Sequence, residues 1–396
     1  MSATTDIYYD PYDFDIDDDP YPVWKRMRDE APVYYNGRYD FYALSRYVDV
    51  EEASTDWKTY TSSKGIQLEM VQTKHPVPPG LFIAEDPPEH DVHRLLLSRA
   101  VTPRKVLALE PRIRELCAEY LDPLVGSGGF DLVGDFGAHL PMRVIGALVG
   151  IPEESQVELR DQIEESARLQ SAEMPKESAI GTIGLPYRQF LAYRREHPAD
   201  DFLTTLIQAR FTDPATGEER GLTDAEILNY VGMLYSAGNE TTARLIGWMG
   251  KTLADHPGQR ADVVADPSLV PAAVEETLRY EVPSPIQIRV TTQPVERHGQ
   301  TIPAGSTVAL LTGAANRDER AFDDPDTYNV HRKIDRHVTF GVGLHYCFGA
   351  ALARLEGRIA LEEILKRFPA WEVNDSGSDL IHTSTLRGYH KLPIVL

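Results

Sequence analysis

The residues best suited to chemistry lie in one short stretch, Phe340 to Gly349, which reads Phe-Gly-Val-Gly-Leu-His-Tyr-Cys-Phe-Gly. Its glycines tolerate positive φ and let a flat ligand approach the main chain. Cys347 comes just before a helical pattern that starts at Ala350, where unpaired N–H groups and the helix dipole favour a thiolate. One thiolate is poor for zinc but suits a haem iron with a single protein ligand. A buried free cysteine in a glycine-rich turn is the alternative interpretation.

The spacing resembles the haem-binding loop of the cytochrome P450 family, Phe-x-x-Gly-x-His/Arg-x-Cys-x-Gly. The fixed positions are filled by Phe340, Gly343, His345, Cys347 and Gly349. The resemblance implies haem b (iron protoporphyrin IX) as the cofactor, Cys347 as the ligand of its iron, and Phe340, His345 and Gly349 beside it. Thiolate ligation pushes electron density to the iron and favours cleavage of the O–O bond.

A second chemical signal, Ala237-Gly238-Asn239-Glu240-Thr241-Thr242, lies inside a long helical pattern. Glycine in a helix interior costs about 1 kcal/mol relative to alanine, so its presence needs a reason. We expect Thr241 to donate to the carbonyl of Ala237 and to open the helix locally. The segment resembles the oxygen groove of the same family. That resemblance implies that Thr241 hydrogen-bonds dioxygen, that Glu240 helps to deliver protons, and that Ala237 and Gly238 lie against the haem. A helix kink with a surface acid is the alternative.

Glu276 and Arg279 lie three residues apart on one predicted helix face, where an acid and a guanidinium can pair. A solvated surface pair is the ordinary meaning of this spacing. The family resemblance instead implies a buried network that includes Arg332 and supports the cysteine loop without taking part in catalysis, since buried charges need partners.

Cations or hydrogen-bond donors are also expected where a haem would place its propionates. His90 and Arg94 are one helical turn apart and can face the same carboxylate. The resemblance adds Arg289 and His345 to this set.

The substrate pocket is predicted to be mostly apolar with a few polar anchors, as small-molecule pockets usually are. Such a pocket suits a neutral, medium-sized molecule of steroid, terpenoid, macrolide or aromatic type, and the sequence does not select among these. The predicted lining residues are Gln67, Met233, Leu234, Ile286, Gln287 and Leu386.

The formal net charge of −21 argues against nucleic acid and against anionic membrane surfaces as partners. The two cysteines, Cys117 and Cys347, imply no disulfide framework. The N-terminus lacks the basic and apolar regions of a signal peptide, and no run of about 18 apolar residues occurs. We therefore expect a cytoplasmic protein without a membrane anchor, and a monomer.

Helical patterns dominate the chain from Pro87 onwards and include a very long one, 222–255, opened by an N-cap signal at Thr223. Strand patterns are short: a hairpin around Asn36-Gly37 and a β-rich part between 287 and 311. Residues 61–82 are expected to be an irregular loop, and residues 181–197 a helix. Without repeats or linkers, we predict an acidic flexible segment over 1–19 and a single domain over 20–396. The predicted fold is mainly α with small β-sheets. The resemblance implies the cytochrome P450 fold with the long helix over the haem.

The resemblance implies a monooxygenase that inserts one oxygen atom from O2 into an apolar small molecule, for example by hydroxylation. Electrons would come from NAD(P)H through ferredoxin reductase and ferredoxin, because no flavin or nicotinamide fingerprint is present. A peroxide-driven peroxygenase and a non-catalytic haem-binding sensor are the alternatives. The Glu240–Thr241 pair argues against the first, and the lack of an attached output domain argues against the second.

The docking face for a ferredoxin is less well marked. Many relatives carry a run of arginines after the position of His90, whereas here Val92, His93, Leu95 and Leu96 leave only Arg94 in that run. A basic face opposite an acidic ferredoxin is expected, with ordinary solvated helix charges as the alternative. The candidate cations are Lys105, Arg354, Arg358, Lys366 and Arg367.

Overall fold

The computed structural model describes residues 7–74, 76–176, 178, 180 and 183–396, with the backbone alone at 99 and 100. Helices make up most of its regular structure. The α-helices are α1 Phe14–Asp18, α2 Tyr21–Glu30, α3 Tyr47–Thr55, α4 Leu68–Gln72, α5 Glu89–Ala100, α6 Pro103–Leu107, α7 Glu110–Leu121, α8 His139–Val149, α9 Glu153–Ala167, α10 Arg188–Glu196, α11 Phe202–Gln208, α12 Asp224–Asp255, α13 Pro257–Ala265, α14 Val270–Tyr280, α15 Thr312–Ala315 and α16 Ala350–Arg367.

The strands are short and form several small sheets. They are β1 Val33–Asn36, β2 Phe41–Leu44, β3 Tyr60–Thr61, β4 Gly129–Asp131, β5 Phe211–Thr212, β6 Glu219–Arg220, β7 Ile286–Thr291, β8 Val295–Arg297, β9 Gln300–Ile302, β10 Thr307–Leu311, β11 Glu372–Val373, β12 Asp379–His382, β13 Arg387–Lys391 and β14 Pro393–Val395.

The sheets join segments that are far apart in the sequence. The largest has five strands in the order β1-β2-β10-β7-β3. In it β10 runs parallel to β2 and antiparallel to β7. Near the C-terminus β14 pairs antiparallel with β4, with Val395 opposite Gly129. These long-range pairings support our proposal that residues 20–396 form one domain.

The predicted long helix is α12, and it crosses the core. Thr223 caps it in a capping box, in which its side chain accepts from the backbone N–H of Glu226 and the Glu226 carboxylate accepts from the backbone of Thr223. Buried residues surround the helix on most sides, as expected of a core helix. Gly250 allows one close approach, because a Cβ there would lie 2.1 Å from a methyl of Leu132.

The prediction of a flexible segment over residues 1–19 is wrong for residues 7–19. Tyr9 and Tyr12 are buried, and the Tyr12 hydroxyl donates to Glu69 at 3.0 Å. Asp17 pairs with His382 at 2.8 Å. Aromatic side chains placed between the acids bury enough apolar surface to hold the segment on the protein. Residues 1–6 lie outside the described residues.

The hairpin predicted around Asn36-Gly37 is present as β1 and β2. The turn covers residues 37–40 between the paired ends Asn36 and Phe41. The side chain of Asn36 accepts from the backbone N–H groups of Arg38 and Tyr39 at 2.8 and 2.9 Å. This local side-chain bonding is what asparagine contributes to turns.

Other boundaries also differ from the prediction. The loop 61–82 contains the short helix α4. The helix predicted over 181–197 begins at Arg188, and residues 181 and 182 lie outside the described residues. The hairpin β12–β13 was not predicted. Among the described residues, one stretch, Leu132–Val149, has the length and composition of a membrane span, and 67% of it is buried inside the protein, as in a core helix.

Candidate active site

A cavity of about 390 Å³ lies between α12 and the loop that precedes α16. Cys347 opens onto it from the loop side and Thr241 from α12. Eleven of the residues predicted from the sequence line it: Arg94, Met233, Leu234, Ala237, Gly238, Thr241, Gln287, Phe340, His345, Cys347 and Gly349.

The backbone of the cysteine loop explains its glycines. Gly341 and Gly343 have φ of 65° and 69°, a region that favours glycine. The backbone N–H of Cys347 donates to the carbonyl of Phe340 at 2.7 Å and closes the loop. A Cβ on Gly349 would lie 4.0 Å from the cysteine sulfur. This is ordinary van der Waals contact, so space beside the sulfur does not by itself require glycine at position 349.

Different parts of the surroundings of Cys347 shift the pKa of its thiol in opposite directions. Desolvation by the surrounding protein raises the pKa of Cys347, although the side chain is exposed to the open cavity. The backbone N–H groups of Gly349 and Ala350 and the charges of Arg94 and Arg354 lower it. These are the donors and cations that stabilise a thiolate once an iron shares its charge.

Buried donors without partners gather at one side of the loop. Neither ring nitrogen of His345 nor Nε2 of His90 has a hydrogen-bond partner in the described part of the chain, and the two rings are 4.7 Å apart. Arg289 is 5% exposed; its Nη1 donates to the carbonyl of Ile288 at 2.7 Å, but its charge has no salt-bridge partner among the described residues. Burial lowers its pKa to about 10, and Asp86 opposes this shift. Burial and the charges of Arg289, His90 and Arg94 lower the pKa of His345 to about 2.

Unsatisfied histidine nitrogens beside a buried arginine without a counter-charge are unfavourable unless an anion binds there. Carboxylates on a flat ligand in the cavity would satisfy them. A single sulfur, a glycine-lined approach and a cationic corner together fit haem b, with Cys347 on the iron and the corner on the propionates.

On α12, Thr241 and Glu240 point in different directions. The Thr241 hydroxyl donates to the carbonyl of Ala237 at 2.7 Å, as predicted, although the helix continues through this point. Glu240 does not line the cavity. Its carboxylate pairs with Arg244 at 2.9 Å and is 4% exposed. Burial raises the pKa of Glu240, and Arg244 partly offsets this.

The predicted acid–arginine network is assembled and buried. Arg279 donates through Nε and Nη2 to both oxygens of Glu276 at 2.7 and 2.8 Å, and both side chains are 0% exposed. Arg332 Nε donates to Glu276 at 3.1 Å. The backbone N–H of Asn329 adds a bond of 2.9 Å to the same carboxylate. Arg279 also donates to the carbonyls of Asn316 and Pro325, so the network fixes the chain that leads to the cysteine loop.

Three predicted pocket residues do not line the cavity. Gln67 accepts a hydrogen bond from the Ser178 hydroxyl at 2.7 Å, which holds its side chain. Ile286 and Leu386 instead border a separate void of about 10 Å³ against Tyr9 and Trp24. The prediction failed there because it did not anticipate that the N-terminal segment packs on this side.

Several lining residues were missed. They come from the ends of helices packed beside α12 and from α16, where an apolar pattern alone does not separate core from pocket. They are Val101, Pro103, Val106, Ile145, Leu148, Val149, Phe202, Leu352 and Glu356.

Comparison with known proteins agrees with this geometry. The family model described as cytochrome P450 matches residues 187–387. A putative cytochrome P450 123 of Mycobacterium tuberculosis is 38% identical over 98% of this chain and 97% of its own length. Cyclomarin C epoxidase CymV of Salinispora arenicola is 34% identical over 94% of each chain. A solved structure of a mutant of P450 EryK in complex with erythromycin B superposes with a TM-score of 0.86 at 33% identity, over 96% of this chain and 97% of that one.

The chain therefore belongs to the cytochrome P450 family. It is a haem b-containing monooxygenase of the bacterial type, an oxidoreductase that uses O2, a redox partner and an organic substrate.

Proposed function

We propose that this P450 inserts one oxygen atom of O2 into a C–H or C=C bond of a neutral, largely apolar, medium-sized molecule, with electrons from NAD(P)H through ferredoxin reductase and a ferredoxin. The observation that carries the substrate class is the lining of the cavity. Phe82, Ile83, Leu234 and Phe202 are apolar, and Gln287 is one of the few polar groups away from the cysteine loop. Steroid, terpenoid, macrolide and aromatic compounds all meet this description.

The haem would supply oxygen activation at its iron when bound. In this proposal Cys347 is the iron ligand, and Arg94, Arg289, His90 and His345 hold the propionates. They exclude water from that side and fix the orientation of the ring.

On the opposite side Thr241 offers a hydroxyl at the cavity wall. Because this hydroxyl now donates to Ala237, it can accept a hydrogen bond from a water or another donor in the cavity. We assign Glu240 to proton supply, since its raised pKa allows a protonated carboxyl next to Thr241 in the sequence. The Arg244 contact must break before that carboxyl can turn towards the cavity.

The electron partner is proposed from the surface around the cysteine loop. Arg354, Arg358 and Arg367 are not free cations, because each is paired with a glutamate. Lys105 on α6 has no salt bridge with a described residue and is exposed beside Leu107. It is our leading contact for an acidic ferredoxin. The chain is proposed to act as a cytoplasmic monomer.

The test is a compound screen followed by turnover. Substrates should shift the ferric haem from low to high spin, and neutral apolar compounds should dominate the hits. Product should then require NADPH, reductase and ferredoxin. Equal product from hydrogen peroxide alone would indicate a peroxygenase, and no product under either condition would indicate a sensor.

The docking contact has its own control. Lys105→Glu should raise the KM for ferredoxin, more at low ionic strength than at high. Lys366→Glu makes the same charge change on an exposed side chain in the last turn of α16, far along that helix from Cys347. It should leave the KM for ferredoxin unchanged. Equal effects of the two changes would rule out α6 as the docking site.

A further inference from the structure

Two neighbouring acids on α14 serve different networks. Glu276 turns towards Arg279 and Arg332, as described above. Glu275 turns towards the cysteine loop instead. It accepts from Arg354 Nε at 2.6 Å and from Arg354 Nη2 at 3.0 Å, a bidentate pair. His337 Nε2 lies 3.0 Å from the same carboxylate.

Arg354 connects this pair to the residue before the cysteine. Its Nη1 donates to the hydroxyl of Tyr346 at 3.0 Å. Its guanidinium also lies 4.4 Å from the centre of the Phe340 ring, within the range of a cation–π contact. Phe340 is the residue whose carbonyl accepts from Cys347 N–H. One arginine therefore contacts both ends of the loop that carries the sulfur.

Tyr346 is held at its other end as well. Its carbonyl accepts from Arg94 Nη2 at 2.7 Å. The ring is 40% exposed, so the protein does not hold it by burial. Polar contacts from α5 and α16 fix its position instead.

The charge state of Glu275 fits this arrangement. Burial alone would raise its pKa, but the hydrogen bonds from His337 and Arg354 outweigh burial and lower the pKa to about 2. The carboxylate is thus ionised at physiological pH, and it neutralises Arg354. Arg354 is therefore a poor candidate for a docking cation.

We infer that Glu275 and Arg354 are positioning residues for the haem thiolate: through Tyr346 and Phe340 they hold the cysteine loop in the geometry in which Cys347 remains on the iron. The inference rests on the proposed role of Cys347 as the iron ligand. It assigns to Glu275–Arg354 a task separate from that of the Glu276 network, which fixes the preceding chain.

Variants of Glu275 and of Arg354 separate two effects of the pair. Its hydrogen bonds hold the loop, so losing either partner should weaken the loop in the same way, whereas the two partners carry opposite charges and should shift the reduction potential in opposite directions. Removing either partner loosens the loop. Removing Arg354 takes a positive charge from the neighbourhood of the sulfur, whereas removing Glu275 leaves that positive charge unneutralised. Loop effects should therefore agree in the two variants, and shifts in the reduction potential should be opposite.

The experiment compares haem-loaded wild type with Arg354→Gln, Glu275→Gln, Tyr346→Phe and the control Arg358→Gln. Arg358 lies one turn further along α16 in a pair with Glu362 at 2.9 Å, so the control removes the same charge from the same helix. The reduced carbonyl complex is followed in mild urea as its strongly red-shifted Soret band gives way to the band of haem without a thiolate.

Arg354→Gln and Glu275→Gln should convert about tenfold faster than wild type, as expected for the loss of a hydrogen bond to a charged group. Tyr346→Phe should convert faster to a smaller extent, and Arg358→Gln at the wild-type rate. The potential should fall in Arg354→Gln and rise in Glu275→Gln.

Equal conversion rates for Arg354→Gln and Arg358→Gln would overturn the inference, as would potential shifts of the same sign. If Arg354→Gln does not retain haem, a wild-type rate in Tyr346→Phe is the refuting result. A wild type without the red-shifted band would instead contradict the role of Cys347, so the two failures can be told apart.

Discussion

Replacing Glu276 with glutamine should destabilise the protein severely, although the change is nearly isosteric. The carboxylate is 0% exposed and accepts from Arg279, Arg332 and the backbone of Asn329. A glutamine keeps one acceptor oxygen but turns an NH2 group towards donors of the arginines. Arg279, also 0% exposed, would be left as a buried cation without a counter-charge.

Breaking a buried ion pair by removing one partner typically costs about 3–5 kcal/mol. The bonds of Arg279 to backbone carbonyls remain in the variant, which places our expectation at the lower end of that range. Domains are stable by only about 5–15 kcal/mol, so the variant should lose a large share of its stability.

Urea unfolding monitored by tryptophan fluorescence, together with the haem-to-protein ratio after purification, measures this loss. Glu30→Gln is the matched control, because it removes the same charge from an exposed pair with Arg26. We expect the urea midpoint of Glu276→Gln to lie well below that of wild type, and its haem content to be reduced. The urea midpoint of Glu30→Gln should equal that of wild type. Superimposable urea unfolding curves for Glu276→Gln and Glu30→Gln would refute the role of the buried network.

The other predictions concern three separate regions. Thr241→Val should divert electrons from NADPH into hydrogen peroxide at normal haem content; unchanged product per NADPH would remove Thr241 from oxygen handling. Arg289→Leu should speed transfer of haem to apomyoglobin about ten- to hundredfold, as expected for one lost charged hydrogen bond, and an unaltered rate would rule out a propionate contact. The hydrogen bond to Asp17 raises the pKa of His382. The pair therefore stabilises the docked N-terminal segment in full below the unfolded pKa of about 6.5, and this stabilisation is lost as the pH rises through the higher pKa of the folded protein. Hydrogen exchange in residues 7–19, corrected for intrinsic rates, should be more protected at pH 6 than at pH 9, and Asp17→Asn should abolish the difference; a difference that persists in Asp17→Asn would contradict it.

The sequence was sufficient where a local pattern has one physical outcome. The capping box at Thr223, the bond from Thr241 to Ala237 and the glycines around Cys347 depend on neighbours within a few residues, and the structure contains them all. The Glu276–Arg279 pair was also visible as helix spacing, and family resemblance supplied Arg332 from a distant segment.

Sequence patterns did not predict features that depend on contacts between distant segments. An acid-rich N-terminus was predicted to be flexible, yet Tyr9 and Tyr12 are buried against the rest of the protein. Ile286 and Leu386 border a small void beside Tyr9 instead of the cavity. Glu240 pairs with Arg244 one turn along the same helix, an i,i+4 spacing that the sequence shows but that our prediction did not weigh against a cavity-facing orientation. Of the charges expected to form a basic face, Arg354 and Arg358 pair with glutamates on other helices and Arg367 with one on its own helix. Lys105 makes no salt bridge with a described residue.

The central claim is that Cys347 is the thiolate ligand of the haem iron, and the spectrum of the reduced carbonyl complex tests it most directly. Wild type should show the strongly red-shifted Soret band that thiolate ligation produces, and Cys347→Ser should lose it. A red-shifted band that persists in Cys347→Ser, or a wild type without one, would contradict the account.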